Sequence, residues 1–219
     1  MKFHDQPITK WSSLALKNQR GFTLTELLVS MGLSLFVLAG VGSLFRAQTH
    51  TVKGQESKME ANEYALTVLD MVVREVRNAG YFPSTACDAM GGVTSASATS
   101  VTIQYDKDSN GACSGDDEIV VFAYDSANKN VTRNGVALSD GNVTAIEFTY
   151  YPQQTSSSAP APYCISGAPS GCSGTLSGNE KTVQKIAIAL TVAPKSTDSD
   201  FTGTAVTMSL TADMRNHGV

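Results

Sequence analysis

Only three histidines occur in this 219-residue chain. They stand alone at His4, His50 and His217, a spacing that assembles neither a catalytic triad nor a metal site. No phosphate-cradling glycine loop is present, and none of the four cysteines sits in a C-x-x-C pair. Charge is scarce at 16% and sums to −4, so no electrostatic footprint for nucleic acid exists. These absences leave an enzyme without a constellation to work with, and a structural or binding role is expected instead. What the chain has in quantity is apolar residues, 42% of the total and spread along its length. That is enough for one ordinary buried core plus an anchor.

The charge is also uneven. Residues 1–21 carry Lys2, Lys10, Lys17 and Arg20 against Asp5, a net of +3, which leaves −7 on the remainder. A basic head before an apolar run keeps its end on the cytoplasmic side of a membrane. The run from Phe22 to Phe45 has 24 residues and one charge, Glu26, and it stops at Arg46. It is long enough to cross the hydrocarbon as a helix, too long for an ordinary secretory signal, and has no A-x-A site after it. A carboxylate inside such a segment costs roughly 2.5–3.5 kcal/mol and therefore wants a partner. None exists in the run. A cut after Gly21 would create an ammonium on Phe22, one helical turn away, able to pair with the Glu26 of a neighbouring subunit.

The stretch Arg20-Gly21-Phe22-Thr23-Leu24-Thr25-Glu26-Leu27-Leu28-Val29 closely resembles the class III signal of type IV prepilins and type II secretion pseudopilins. The resemblance implies that prepilin peptidase removes residues 1–21 between Gly21 and Phe22 and N-methylates Phe22. It also implies that Glu26 aligns subunits during assembly.

Beyond Arg46 the helical pattern continues. Val52, Met59, Leu66 and Val73 repeat every seven residues, with Leu69 and Val76 between them and with Val68, Val72 and Ala79 joining after Ala65, and predict an apolar stripe over 46–80 that packs on a folded head. Gly80 supplies a C-terminal cap and Pro83 forbids resumption. Unbroken from Phe22 to Ala79, such a helix would run near 87 Å at about 1.5 Å per residue. From there to residue 219 the period becomes alternating. Strands are expected over Thr99–Tyr105, Asp117–Tyr124, Asn130–Leu138, Val143–Tyr151, Thr182–Ala193 and Thr204–Ala212. The whole reads as α+β: a long helix, transmembrane in its first half, on an antiparallel sheet. Val73-Arg74-Glu75-Val76-Arg77-Asn78-Ala79-Gly80-Tyr81-Phe82 resembles the helix end of PilW-like minor pilins and J-type pseudopilins, and Met214-Arg215-Asn216 is similar to the PilW pattern.

Three features of the head call for chemistry. Cys87, Cys113, Cys164 and Cys172 all follow the apolar run, so disulfides are expected in an oxidising compartment. Three connectivities exist, and proximity favours Cys87–Cys113 with Cys164–Cys172. Asp106, Asp108, Asn110, the carbonyl of Ala112, Ser114 and Asp117 follow the spacing of a Ca²⁺-binding loop around Gly111, with Glu118 adjacent. A polar hairpin loop explains the same residues without an ion. The stretch 152–180, rich in Ser, Gly, Pro and Ala, is a long loop that is either displayed for a partner or solvated.

The resemblance implies a minor pilin that contributes to initiation and assembly of a type IV pilus. Its partners would be prepilin peptidase, sister minor pilins, the major pilin and the inner-membrane assembly platform. Its home would be the bacterial inner membrane with the head in the periplasm, then the pilus. A J-type pseudopilin of type II secretion, or a pilus-displayed binding module, are the alternatives.

Overall fold

The computed structural model describes residues 21–83, 91–115, 117–138, 142–153, 159–165, 171–195 and 203–214. The leader up to Arg20, Cys87, Arg215, Asn216 and His217 lie outside these residues. Helix α1 spans Leu24–Asn78. The chain divides into two units, Met1–Thr49 and His50–Val219, and α1 contributes to both.

In the first unit every described side chain is exposed, including Phe22, Leu28, Phe36 and Phe45, so this stretch has no core of its own. It is long and apolar enough to cross a membrane. Its few polar side chains close onto the helix. The hydroxyls of Ser30, Ser34, Ser43 and Thr49 donate to the carbonyls of Leu27, Ser30, Gly40 and Phe45 at 2.9, 2.7, 2.7 and 2.8 Å. A hydroxyl satisfied within its own helix has little left to lose on entering hydrocarbon.

In the second unit α1 buries Ala61, Ala65, Val68, Leu69, Val72, Val73 and Val76. Their spacing follows the 3.6-residue period of a straight helix. The seven-residue stripe expected from the sequence is corrected here. Val73, Leu69 and Val76 are buried, but Val52, Met59 and Leu66 are exposed at 61%, 70% and 48%. The buried face is made of alanine, valine and Leu69, whereas Val52, Met59 and Leu66 lie on another side of the helix. The helix ends on Gly80, which adopts φ 78°. Gly92 lies against that end, since a Cβ on it would meet the Gly80 nitrogen at 2.7 Å.

Two antiparallel sheets follow. The first is ordered β1 (Val93–Ala96), β2 (Ser100–Gln104), β3 (Ile119–Asp125), β4 (Asn130–Arg133) and β5 (Val136–Ala137). The second is ordered β6 (Val143–Pro152), β7 (Val183–Val192) and β8 (Val206–Asp213). The α+β class stands, with the head split over two sheets. The strand expected over Asn130–Leu138 is in fact β4 and β5, because Asn134 and Gly135 take φ 49° and 80° and form the tight turn that suits a two-residue hairpin. The Ser- and Thr-rich β1 carries too little apolar alternation to have been expected.

From β7, Val183 and then the alternate residues Ile186, Ile188, Leu190 and Val192 are buried with Ile146, Phe148 and Tyr150 of β6 and with Val101, Ile103 and Phe122 of the first sheet. Tyr150 is fully buried, and its hydroxyl donates towards the carbonyls of Ser97 and Ser100 at 2.9 and 3.0 Å, tying one sheet to the other. Burial pushes its phenol pKa up. Glu75 of α1 accepts from Arg133 Nε of β4 at 2.8 Å, with both side chains largely shielded. These bonds hold the ends of the core elements in register around the apolar layer.

Candidate functional site: the amino-terminal segment and the acidic loop

Two places gather the residues singled out in the sequence. At the start of α1, Thr23 is the helix cap. Its Oγ1 accepts from the Glu26 N–H at 3.3 Å, and its carbonyl accepts from the Leu27 N–H at 3.2 Å. Thr23-Leu24-Thr25-Glu26 thus has the spacing of a capping box, a role for Thr23 that sequence reasoning passed over although the T-x-x-E signal is plain. Glu26 falls in the first turn, where the positive end of the helix dipole favours a negative charge. Phe22 is 83% exposed just ahead of the cap. A Cβ built on Gly21 meets nothing within 4 Å. The fold itself places no steric demand on glycine there, so any demand comes from whatever grips the chain.

The second place is the loop from Tyr105 to β3. Asp106 is fully buried, and its carboxylate accepts the N–H groups of Asn110 at 3.2 Å and Gly111 at 2.9 Å. Asp108 accepts the Asn110 N–H at 3.1 Å and its side-chain amide at 2.7 Å. Glu118, 6% exposed, turns inward and accepts the N–H groups of Lys107, Ser114 and Gly115 at 3.3, 3.1 and 3.0 Å. Those backbone donors, Gly115 first, hold the Glu118 carboxyl below the usual range.

Of the expected calcium donors, only Asp106 and Asp108 converge, and Glu118 joins them with one oxygen of each within 4.8 Å of the others. Asp117 is drawn away to Lys107 Nζ at 3.1 Å, an ion pair that lowers the carboxyl and raises the amine. Asn110 Oδ1 accepts the Ala112 N–H at 2.7 Å, and Ser114 presents its N–H to Glu118. The three converging carboxylates also accept backbone N–H groups of the loop, from Asn110 and Gly111 to Ser114 and Gly115.

This loop should respond to acid. A carboxyl depressed in the fold stabilises fully above its ordinary value of 4.5 and loses that contribution as pH falls below it. Asp117 and Asp125 are depressed too and act in the same direction. The full chain in detergent should therefore melt at progressively lower temperature below about pH 4.5. Glu118→Gln should lower the melting temperature at pH 7 and flatten that dependence. An unchanged pH profile in the variant would remove Glu118 from the role.

Cys164 and Cys172 are joined, with Cα atoms 5.0 Å apart. Cys113 is also disulfide-bonded, and no described cysteine is free. Cys87, the partner that proximity assigns to Cys113, lies outside the described residues. The first bond staples the loop after β6, where Cys164 and Thr175 also form a bridge, and Tyr163 Oη meets Thr182 Oγ1 at the loop's base.

A capped apolar helix with an acid in its first turn, leading into a β-rich head, defines a pilin-like architecture. Residues 16–42 match the model of the prokaryotic N-terminal methylation motif, a stretch that contains Gly21, Phe22 and Glu26. That motif supports a type IV pilin-like or pseudopilin protein. No curated protein and no solved structure matches it.

Proposed function

We propose that this protein is a minor pilin of the PilW-like kind, a structural subunit that contributes to initiation and assembly of a type IV pilus. The methylation motif over residues 16–42 carries the reading, because it joins a cleavage junction at Gly21-Phe22 to an acid in the first turn of the exported helix. Met214-Arg215-Asn216 supports the minor class, through its similarity to the PilW pattern. In this reading prepilin peptidase removes residues 1–21. The apolar stretch then holds the subunit in the inner membrane with its head in the periplasm. The new amine on Phe22 neutralises Glu26 of an adjacent subunit as the chain leaves the bilayer. The partners are sister minor pilins, the major pilin and the assembly platform, and the role is structural, without catalysis.

A J-type pseudopilin is the second reading, favoured by the Val73–Phe82 stretch, which resembles both groups. Mass spectrometry of the protein taken from cells, together with its recovery in sheared surface filaments, tests the proposal. A mature chain beginning at N-methylated Phe22 and present in pili is the expected result. An intact leader refutes processing, and a processed chain that co-purifies with secretion-system subunits moves it to the second reading.

A further inference from the structure

A sheet edge leaves a row of backbone N–H and C=O groups without partners, and three of the four edges of this head are blunted. β1 has four residues and a register shift between Val93 and Ser95, and β5 has two residues. β6 ends at Pro152 and shifts register near both ends. Its outer groups are also used. The Phe148 N–H donates to the Ala98 carbonyl at 2.8 Å, and the Tyr150 carbonyl accepts from the Tyr163 N–H at 2.8 Å. β8 differs. It runs eight residues along β7 without a register shift, holds no proline, and carries its one charge at Asp213, the last position.

Register tells which groups of β8 are free. The Met214 N–H donates to the Gln184 carbonyl at 2.8 Å, so these two residues form a hydrogen-bonded pair. In an antiparallel ladder such pairs recur at every second residue. Met208, Leu210 and Ala212, opposite Leu190, Ile188 and Ile186, therefore turn their backbone groups to β7. Thr207, Ser209 and Thr211 turn theirs away, and among the described residues nothing takes them. The side chains of these three are exposed on one face, while Met208 and Leu210 lie half-buried against the core on the other. Only an extended backbone matches a free row of this kind. A second copy does not supply one. Its other described edges are blunted, and pairing β8 with another β8 runs through a two-fold axis perpendicular to the sheet. That axis would reverse α1, whereas chains anchored in one membrane run the same way.

We infer that β8 is a receiving edge for an extended segment of a different exported protein, added antiparallel as a fourth strand of the β6-β7-β8 sheet. Antiparallel addition continues the pattern of the sheet and is the stronger pairing per residue. The segment alternates apolar residues, on the face of Met208 and Leu210, with polar ones on the face of Thr207, Ser209 and Thr211. The inference rests on the proposed function, which supplies the common anchor, and adds the surface and the kind of partner.

Photo-crosslinking of the full chain in its own cells tests the edge. Thr211→p-benzoylphenylalanine should couple to a different protein, at a peptide of alternating apolar and polar residues identified by mass spectrometry. The same probe at Val136, exposed on the two-residue β5, should give about tenfold less product. Adding Ser209→Pro should lower the coupled fraction about tenfold, since it removes an outward N–H while the bonds to β7 stay. A second measurement needs no proline. In the purified coupled product, the Thr207 and Ser209 N–H groups should exchange with solvent at least about tenfold more slowly than in the free chain in detergent. Coupling to a copy of this chain, equal products at both positions, no protein product, an undiminished product in the proline variant, or amides that exchange as before each overturns the edge. Phe22 processing is read from the same cells. A processed chain without the Thr211 product sinks the edge alone, whereas an unprocessed chain sinks both.

Discussion

Glu26→Ala is expected to leave cleavage after Gly21 intact and to lower recovery of the protein in sheared filaments by at least about tenfold. In the proposed reading the peptidase acts at the Gly21-Phe22 junction, four residues ahead of the acid, where a Cβ on Gly21 would meet nothing. Assembly meets a different problem. An unpaired carboxylate within the hydrocarbon costs roughly 2.5–3.5 kcal/mol, and so does the new amine on Phe22 if it has no counter-charge. In the proposed reading pairing across subunits offsets both costs at once, so removing the acid would leave the neighbour's amine unmet. Glu26 also sits at the third position of the helix that Thr23 caps. Glu26→Gln separates the two roles, since glutamine serves a capping box and carries no charge. Failure of both variants to enter pili assigns the role to charge. Recovery with glutamine would assign it to the cap and would remove ion pairing from the account.

Leu69→Ala should destabilise the second unit by about 2–5 kcal/mol, whereas Met59→Ala should change its stability by less than about 0.5 kcal/mol. Both residues belong to the apolar pattern over 46–80 of the sequence. Leu69 is fully buried against the head, and Met59 is 70% exposed. Denaturant titration of the full chain in detergent, followed by tryptophan-independent far-ultraviolet signals, would rank them. Equal losses would mean that both faces of α1 are covered by the head, contrary to the structure.

The contrast between these two residues shows where reading the sequence stops. Hydrophobic periodicity finds helical faces, but two periods overlap here, and bulk does not say which face the head takes. Val73, Leu69 and Val76 belong to both patterns in the sequence, and only docking of the sheets separates them from Val52, Met59 and Leu66. The acidic loop has the same lesson at smaller scale. Asp117 and Glu118 are neighbours, and near the start of a strand successive side chains point to opposite faces. One residue of register sends Glu118 into the loop's amides and Asp117 out to Lys107. In the hairpin of β4 and β5 the signal was present as Asn134-Gly135, and apolar residues on either side concealed it.

Local chemistry alone was enough for the prepilin-like signal, the long apolar run, the end of α1 near Gly80 and the α+β class. Each of these depends on residues close together in the chain: a step in polarity, a run length, a cap, an alternation. Tertiary structure decided which helix face is buried, how the strands divide between two sheets and which carboxylates close the loop. Those outcomes turn on side chains far apart in sequence competing for the same buried space and the same backbone donors, a competition that spacing along the chain does not record.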